Sequence, residues 1–186
     1  MDFETSQIIR NELSQGESLI WSGRPRQGFV LRKADLFLIP FSILWVGFAL
    51  FWEYQAFTSG APLFFLIFGG FFVIYGLFFV FGRFISDILK RKGTFYGVST
   101  DRVIILSVTP TRKLQSLNLD TLNDITLSLK QDGSGDILFG PQNPMASRMK
   151  GISWPGMPNL HMPMFELIEN AGFVYQEIRD EQKKSV

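Results

Sequence analysis

The chain has 186 residues, no cysteine, one histidine and a formal charge of +1, which excludes thiol chemistry and disulfides and gives no support to nucleic-acid binding. Phenylalanine alone accounts for 20 positions, and the apolar residues are gathered rather than spread. Leu36 to Trp52 and Ala61 to Gly82 contain no charged side chain, whereas the remaining segments have the composition of water-soluble protein.

At the start of the chain, "TSQIIRNELSQG" reads as a short amphipathic helix, with Thr5 or Ser6 as its cap and Gly16 as its stop, or else as a frayed terminus. "ESLIWSG" follows, strand-like at Leu19, Ile20 and Trp21, and residues 17–22 are expected to dock on the edge of a sheet formed later in the chain.

The two uncharged runs are 17 and 22 residues long, so as helices they would reach about 25 Å and about 33 Å, bracketing a hydrocarbon core of about 30 Å. In the second run 15 positions are Leu, Ile, Val or Phe, each favouring insertion by roughly 0.3–0.6 kcal/mol. Neither run keeps the polar edge of a soluble core helix. Pro40 falls in a first turn, where its missing N–H costs little. A cleaved signal peptide fits poorly, because "EYQAFTSG" rather than a small-residue cleavage site follows the first run.

Arg24, Arg26, Arg32 and Lys33 precede the first run, and Arg83, Lys90, Arg91 and Lys92 follow the second, while residues 53–60 contain no Lys or Arg. Basic residues stay on the cytoplasmic side, so this asymmetry predicts two spans, about 36–52 and 61–82, with both termini cytoplasmic and the loop 53–60 outside. Trp52 and Tyr54 would sit at the outer boundary. Inside the spans the only polar side chains are Ser42, Trp45 and Tyr75, so no ion path is expected. Gly69 and Gly76, like Ser42 and Ala49, lie seven positions apart, a spacing that lets two helices approach closely.

Beyond Gly93 the pattern changes to short segments bounded by turn residues. "TFYGVS", "RVIILSV", "RKLQSLNL" and the alternating "DITLSLK" read as strands; "QDGSGD" is a turn into "ILFG", and "GISW" is a further candidate strand. From Pro163, "PMFELIENAGFVYQEIRDEQ" predicts a helix with Met164, Ile168, Ala171, Tyr175 and Ile178 on one stripe. The expected division is a cytoplasmic N-terminal segment (1–33), a transmembrane hairpin (34–85), a cytoplasmic domain (93–182) and a tail (183–186).

"YGVSTDRVIIL", the Leu119, Leu122 and Ile125 stretch, "DGSGDILFG", "FVYQEI" and the opening "GESLIWSGRPRQG" together resemble the bacterial pleckstrin homology (PH) family of membrane-attached proteins. The resemblance implies an α+β chain: a two-helix transmembrane hairpin in a bacterial inner membrane, followed by a PH-like antiparallel β-barrel or sheet capped by a C-terminal helix. Such a barrel usually has seven strands; about six follow the hairpin, and residues 17–22 are the candidate for the seventh.

Catalytic groups are sparse. There is no HExxH, P-loop or GxSxG pattern, and His161 in "NLHMPMF" reads as a capping or surface residue rather than a base or ligand. "DGSGD" lacks the distal Glu of a calcium loop. No enzyme activity, metal or cofactor is expected. Arg83, Lys90, Arg91, Lys92 and Arg102 are the candidate contacts for anionic lipid, with Arg112 and Lys113 expected nearby; plain topology signalling is the alternative use of the same cations. The turn Ser99 to Arg102, taken as the first hairpin loop, contributes one cation, so phosphoinositide recognition is not expected. The expected function is a non-enzymatic interaction module at the inner leaflet that binds a protein or peptide partner. The alternatives are an accessory subunit contacting a larger complex through its spans, or a membrane-bound hydrolase using His161.

Overall fold

The computed structural model describes residues 3–32, 35–141 and 162–185; Lys33, His161 and the candidate strand "GISW" lie outside them. In chain order, α1 (Phe3–Arg10) and β1 (Leu19–Gly23) precede two long helices, α2 (Asp35–Thr58) and α3 (Leu63–Leu77). A π-helical segment, Phe78–Gly82, continues α3 into α4 (Arg83–Lys92). Among the described residues six strands follow: β2 (Thr94–Ser99), β3 (Arg102–Ser107), β4 (Lys113–Asn118), β5 (Ile125–Leu129), β6 (Gly135–Phe139) and β7 (Met164–Ile168), and then helix α5 (Ala171–Ser185). The chain divides into two compact units, residues 1–28 with 89–186, and residues 29–88.

The first unit is an α+β domain with two antiparallel sheets, ordered β1-β2-β3-β4 and β5-β6-β7. Among the described residues the strands form these two sheets and not a closed barrel, which corrects the barrel form of the barrel-or-sheet expectation: after β4 a 3-10 turn at Leu119–Thr121, with Leu119 buried, carries the chain from one sheet to the other. β1 pairs antiparallel with β2, Trp21 against Val98 and Gly23 against Tyr96, so the first strand of the domain is separated from the second by both long helices. The β1–β2 connection is therefore residues 24–93. Ser99 to Arg102, read from the sequence as the first turn, joins β2 to β3 instead.

Alternation along β2 and β3 supplies two apolar layers. Tyr96, Val98, Val103 and Ile105 face a core shared with Ile137, Phe139, Phe165 and Ile168 of the second sheet and with Ala171, Val174 and Ile178 of α5. Phe165 is its hub, with ring centroids 4.6 Å from Tyr96, 5.0 Å from Phe139 and 5.6 Å from Trp21. Phe95, Ile104 and Leu106 point to the opposite face and are covered by Ile8 and Ile9 of α1 with Leu13 and Leu19. Strands covered on both faces read as continuous apolar runs, which is why "RVIILSV" does not alternate. Gly97 allows the cover: a Cβ there would stand 2.5 Å from Ile9 Cγ2.

Two helix predictions need correction. α1 ends at Arg10 rather than near Gly16, because the chain turns there to bring Leu13 and Leu19 into the covering layer; Thr5 is buried inside it, accepting a hydrogen bond from Arg24 Nε (2.6 Å) instead of capping. The helix expected from Pro163 starts only at Ala171. Phe165 and Ile168 are drawn into the core as strand β7, and Asn170, with φ 52°, turns the chain into α5 while its carbonyl accepts from Phe173 and Val174. Only the Ala171, Tyr175 and Ile178 part of the predicted stripe is helical.

The second unit contains two helices long and apolar enough to cross a membrane, Asp35–Thr58 and the continuous Leu63–Lys92, whose last residues belong to the first unit. Their contact runs along small residues: Ser42 and Ala49 are buried on α2, and Gly69 and Gly76 on α3. A Cβ at Gly76 would meet Val46 Cγ2 at 2.8 Å and Trp45 at 3.0 Å, so glycine sets how closely the helices approach. The large side chains face outward; Phe37, Leu44, Phe57, Phe64 and Ile74 are each about 70% exposed.

Candidate functional site

The cations that bracket the helices fall into separate groups. Within the helical unit, Arg32 Nη2 meets Asp87 Oδ1 at 2.9 Å and Arg83 Nη1 meets Asp35 Oδ1 at 3.0 Å, so the entry of α2 and the exit of the second helix are cross-paired. Asp35 opens α2, where a carboxylate is favoured by the helix dipole, and also accepts from the Arg32 N–H (2.7 Å). Arg83 lies over the Phe84 ring, 4.5 Å from its centroid.

Arg91 stands in the last turn of α4 and is buried. Its guanidinium donates to the carbonyls of Arg26 and Gly28, the latter at 2.6 Å, while Gln27 Nε2 returns a bond to the Arg91 carbonyl at 3.2 Å. Arginine suits this role because its planar fork reaches two acceptors at once. It ties the chain leaving β1 to the chain about to enter β2.

Arg102 forms a third group. Its Nε and Nη2 donate to Glu17 Oε1 and Oε2, both at 2.9 Å, and Nη2 also reaches the Glu12 carbonyl at 3.0 Å. Glu17, with a side chain 1% exposed, additionally accepts from the Ser99 hydroxyl and from the Ser14 N–H (2.8 Å). Burial pushes the Glu17 carboxyl up, but the hydrogen bonds from Arg102, Ser14 and Ser99 and the Arg102 charge outweigh it and bring the carboxyl down to about 2. The same contact raises Arg102 above its ordinary value. β3 places Arg102 opposite Asn118 and Ser107 opposite Lys113, so Arg102 lies about 17 Å along the strand from the Lys113 end.

Of the five residues expected to contact anionic lipid, Arg83, Arg91 and Arg102 are thus engaged by partners inside their own units, and Lys90 and Lys92 present exposed side chains. The β3–β4 loop joins those two. The Val108 N–H donates to the Gly93 carbonyl (2.7 Å), and a Cβ on Gly93 would stand 2.5 Å from Thr109 Oγ1. Arg112, on the same loop, and Lys113, which opens β4, are exposed, Arg112 in an ion pair with Glu12.

"DGSGD" is the β5–β6 turn: the Lys130 N–H donates to the Ser134 carbonyl (2.8 Å), Gly133 takes φ 76°, and Asp132 Oδ1 accepts from the Ser134 hydroxyl (2.6 Å). The Ser134 hydroxyl holds Asp132 below the usual carboxylate range. Among the described residues no group of three His, Cys, Asp or Glu could hold a metal ion.

Asp35, Asp87 and Glu17 are the residues that counting cations missed. The available signals were an acid at the foot of each helix and the sequence "GESL" just before β1. Glu53, expected in the loop, lies inside α2; its Oε2 is buried against Gly69 without a hydrogen-bond partner. No family model, no curated protein and no solved structure matches this chain.

Proposed function

We propose that the chain is a membrane-anchored, non-enzymatic interaction module: α2 and the α3–α4 helix cross a bacterial inner membrane as a hairpin, and a PH-like domain on the cytoplasmic face binds a protein or peptide partner. The observation that carries this reading is the pairing of β1 with β2. Two strands hydrogen-bonded in one sheet occupy one aqueous compartment, so whatever crosses between Gly23 and Thr94 must return, and two crossing helices do so. The count of basic residues then selects the cytoplasmic side. Outward-facing Phe, Leu and Ile side chains on both helices support a lipid surround, since an apolar surface of this extent in water would drive association.

Among the described residues, seven strands in sheets of four and three with a C-terminal helix support the PH-like reading, and β1, before the long helices, is one of the seven. No constellation of titratable groups argues for catalysis among the described residues, and the interaction role rests on fold analogy. In the accessory-subunit reading, the exposed aromatic row Phe64, Phe68 and Phe71 would meet another helix rather than lipid. Crosslinkers placed in the spans and in the domain separate these readings.

The test is fractionation combined with reporter fusions. The chain should stay with membranes through alkaline carbonate, a reporter fused to the C terminus should read as cytoplasmic, and one inserted after Ser59 as external. Protein that dissolves without detergent, or a C-terminal reporter active outside, overturns the proposal.

A further inference from the structure

We propose that the β3–β4 loop, Val108 to Arg112, with Lys113 at the start of β4, is a second membrane contact of the domain, resting on anionic phospholipid headgroups beside the point where α4 ends. This rests on the membrane-anchored reading. The helix that ends at Lys92 keeps an apolar exposed side up to its last turn: Ile85 is 57% exposed and Leu89, one helical turn later, 51%. Lys90 and Lys92, both exposed, follow at once. An apolar stripe ending in lysines is the composition of a segment lying at the headgroup boundary.

The sheet brings the loop to that level. Gly93 follows Lys92 directly, and its carbonyl takes the Val108 N–H at 2.7 Å. In register, Thr94 pairs with Ser107 and Ser107 with Lys113, which places Lys113 two strands, about 10 Å, from Thr94. Val108 (45% exposed) and Leu114 (43%) expose apolar groups at this same end. An apolar tip flanked by Lys92 and Lys113 fits an anionic bilayer surface: the side chain of Val108 has somewhere to go, and the cations find phosphate. Glu12 offsets Arg112, so the two lysines carry the attraction.

The chain has no cysteine, so Val108→Cys or Thr111→Cys carries a single environment-sensitive fluorophore on the full-length protein. The protein is placed in nanodiscs of phosphatidylcholine, with and without phosphatidylglycerol. Quenching by nitroxide-labelled lipid should rise when phosphatidylglycerol is present and fall again at high salt. Lys92→Gln and Lys113→Gln should each lower the ratio of docked to undocked loop about fivefold. Labels equally open to aqueous iodide in both discs, or insensitive to both lysine substitutions, overturn the inference. Phe71→Cys supplies the control. If it is quenched by lipid while the loop positions stay wet, only the loop contact fails. If Phe71→Cys is itself wet, the hairpin anchoring fails and takes this inference with it.

Discussion

Replacing Glu17 by Gln removes one negative charge while keeping the side chain's volume, at a site where the carboxylate accepts from Arg102 twice, from Ser99 and from Ser14. Folding lowers this carboxyl from 4.5 to about 2. At about 1.4 kcal/mol per pH unit, the displacement corresponds to about 3 kcal/mol of stability, the right size for a carboxylate whose side chain is 1% exposed and fully bonded. For a chain of this length that is a loss of about 10 °C in Tm. The sign follows from the direction of the shift: the contribution is complete above the unfolded value near 4.5 and disappears as pH falls through about 2. Melting of wild type and E17Q in detergent should therefore differ by a constant amount from neutral pH down to about 5 and converge below it. Arg102→Met should cost at least as much, since it strands a buried carboxylate. Equal melting temperatures at neutral pH, or a gap that persists unchanged to pH 2.5, would refute the assignment of that stability to Glu17.

Gly97→Val should expel α1 from the sheet, because the new Cβ would lie 2.5 Å from Ile9 Cγ2; overpacking of this kind costs about 1–3 kcal/mol, and trypsin should then cut at Arg10 in the folded protein, whereas unchanged protection would contradict the packing. Deleting residues 29–88 and joining Gly28 to Leu89 through a short Gly-Ser linker should give a soluble domain with the wild-type β1–β2 pairing, since Arg91 Nη2 already reaches the Gly28 carbonyl at 2.6 Å. Hydrogen exchange at Trp21 and Val98 amides reads the result, and fast exchange there would mean that the domain requires its helices.

The two long helices were legible because a run without charge longer than about 17 residues has few alternatives, and the seven-residue spacing of small residues anticipated the faces that are buried. β1 was legible from three apolar residues and from the single compartment that the charge count predicted for both ends of the chain. The helix ends were not. "PMFELI" has helical spacing, yet Phe165 fills the centre of the core, and that demand, set by Tyr96, Phe139 and Trp21 from distant parts of the chain, overrides local pattern. The candidate lipid residues suffered from the same blindness to distance. Arg102 finds its carboxylate 85 residues away and Arg83 finds Asp35 at the start of α2, so a count of cations along the chain does not see which of them folding brings to an acid. Lys90 and Lys92 keep exposed side chains in the last helical turn, while Arg91 between them is buried.

Inserting some 70 residues between two paired strands would ordinarily be a topological burden, since the first strand must wait for the second. Here the entropy of closing that loop is reduced because the excursion is not a flexible chain. The helical unit brings its own ends together through Arg32 with Asp87 and Arg83 with Asp35, and the domain independently brings the flanking chain together through Arg91 and the carbonyls of Arg26 and Gly28. Each unit by its own bonds asks for the same thing, that the chain near residue 30 meet the chain near residue 88. Agreement between demands arising in two apolar helices and in a β-sheet is what makes such an insertion foldable. It also assigns the arginines a role that topology signalling alone does not require: lysine would carry the positive charge as well, but the planar fork of a guanidinium suits the paired acceptors seen at Arg91 and Arg102 better than a compact ammonium does.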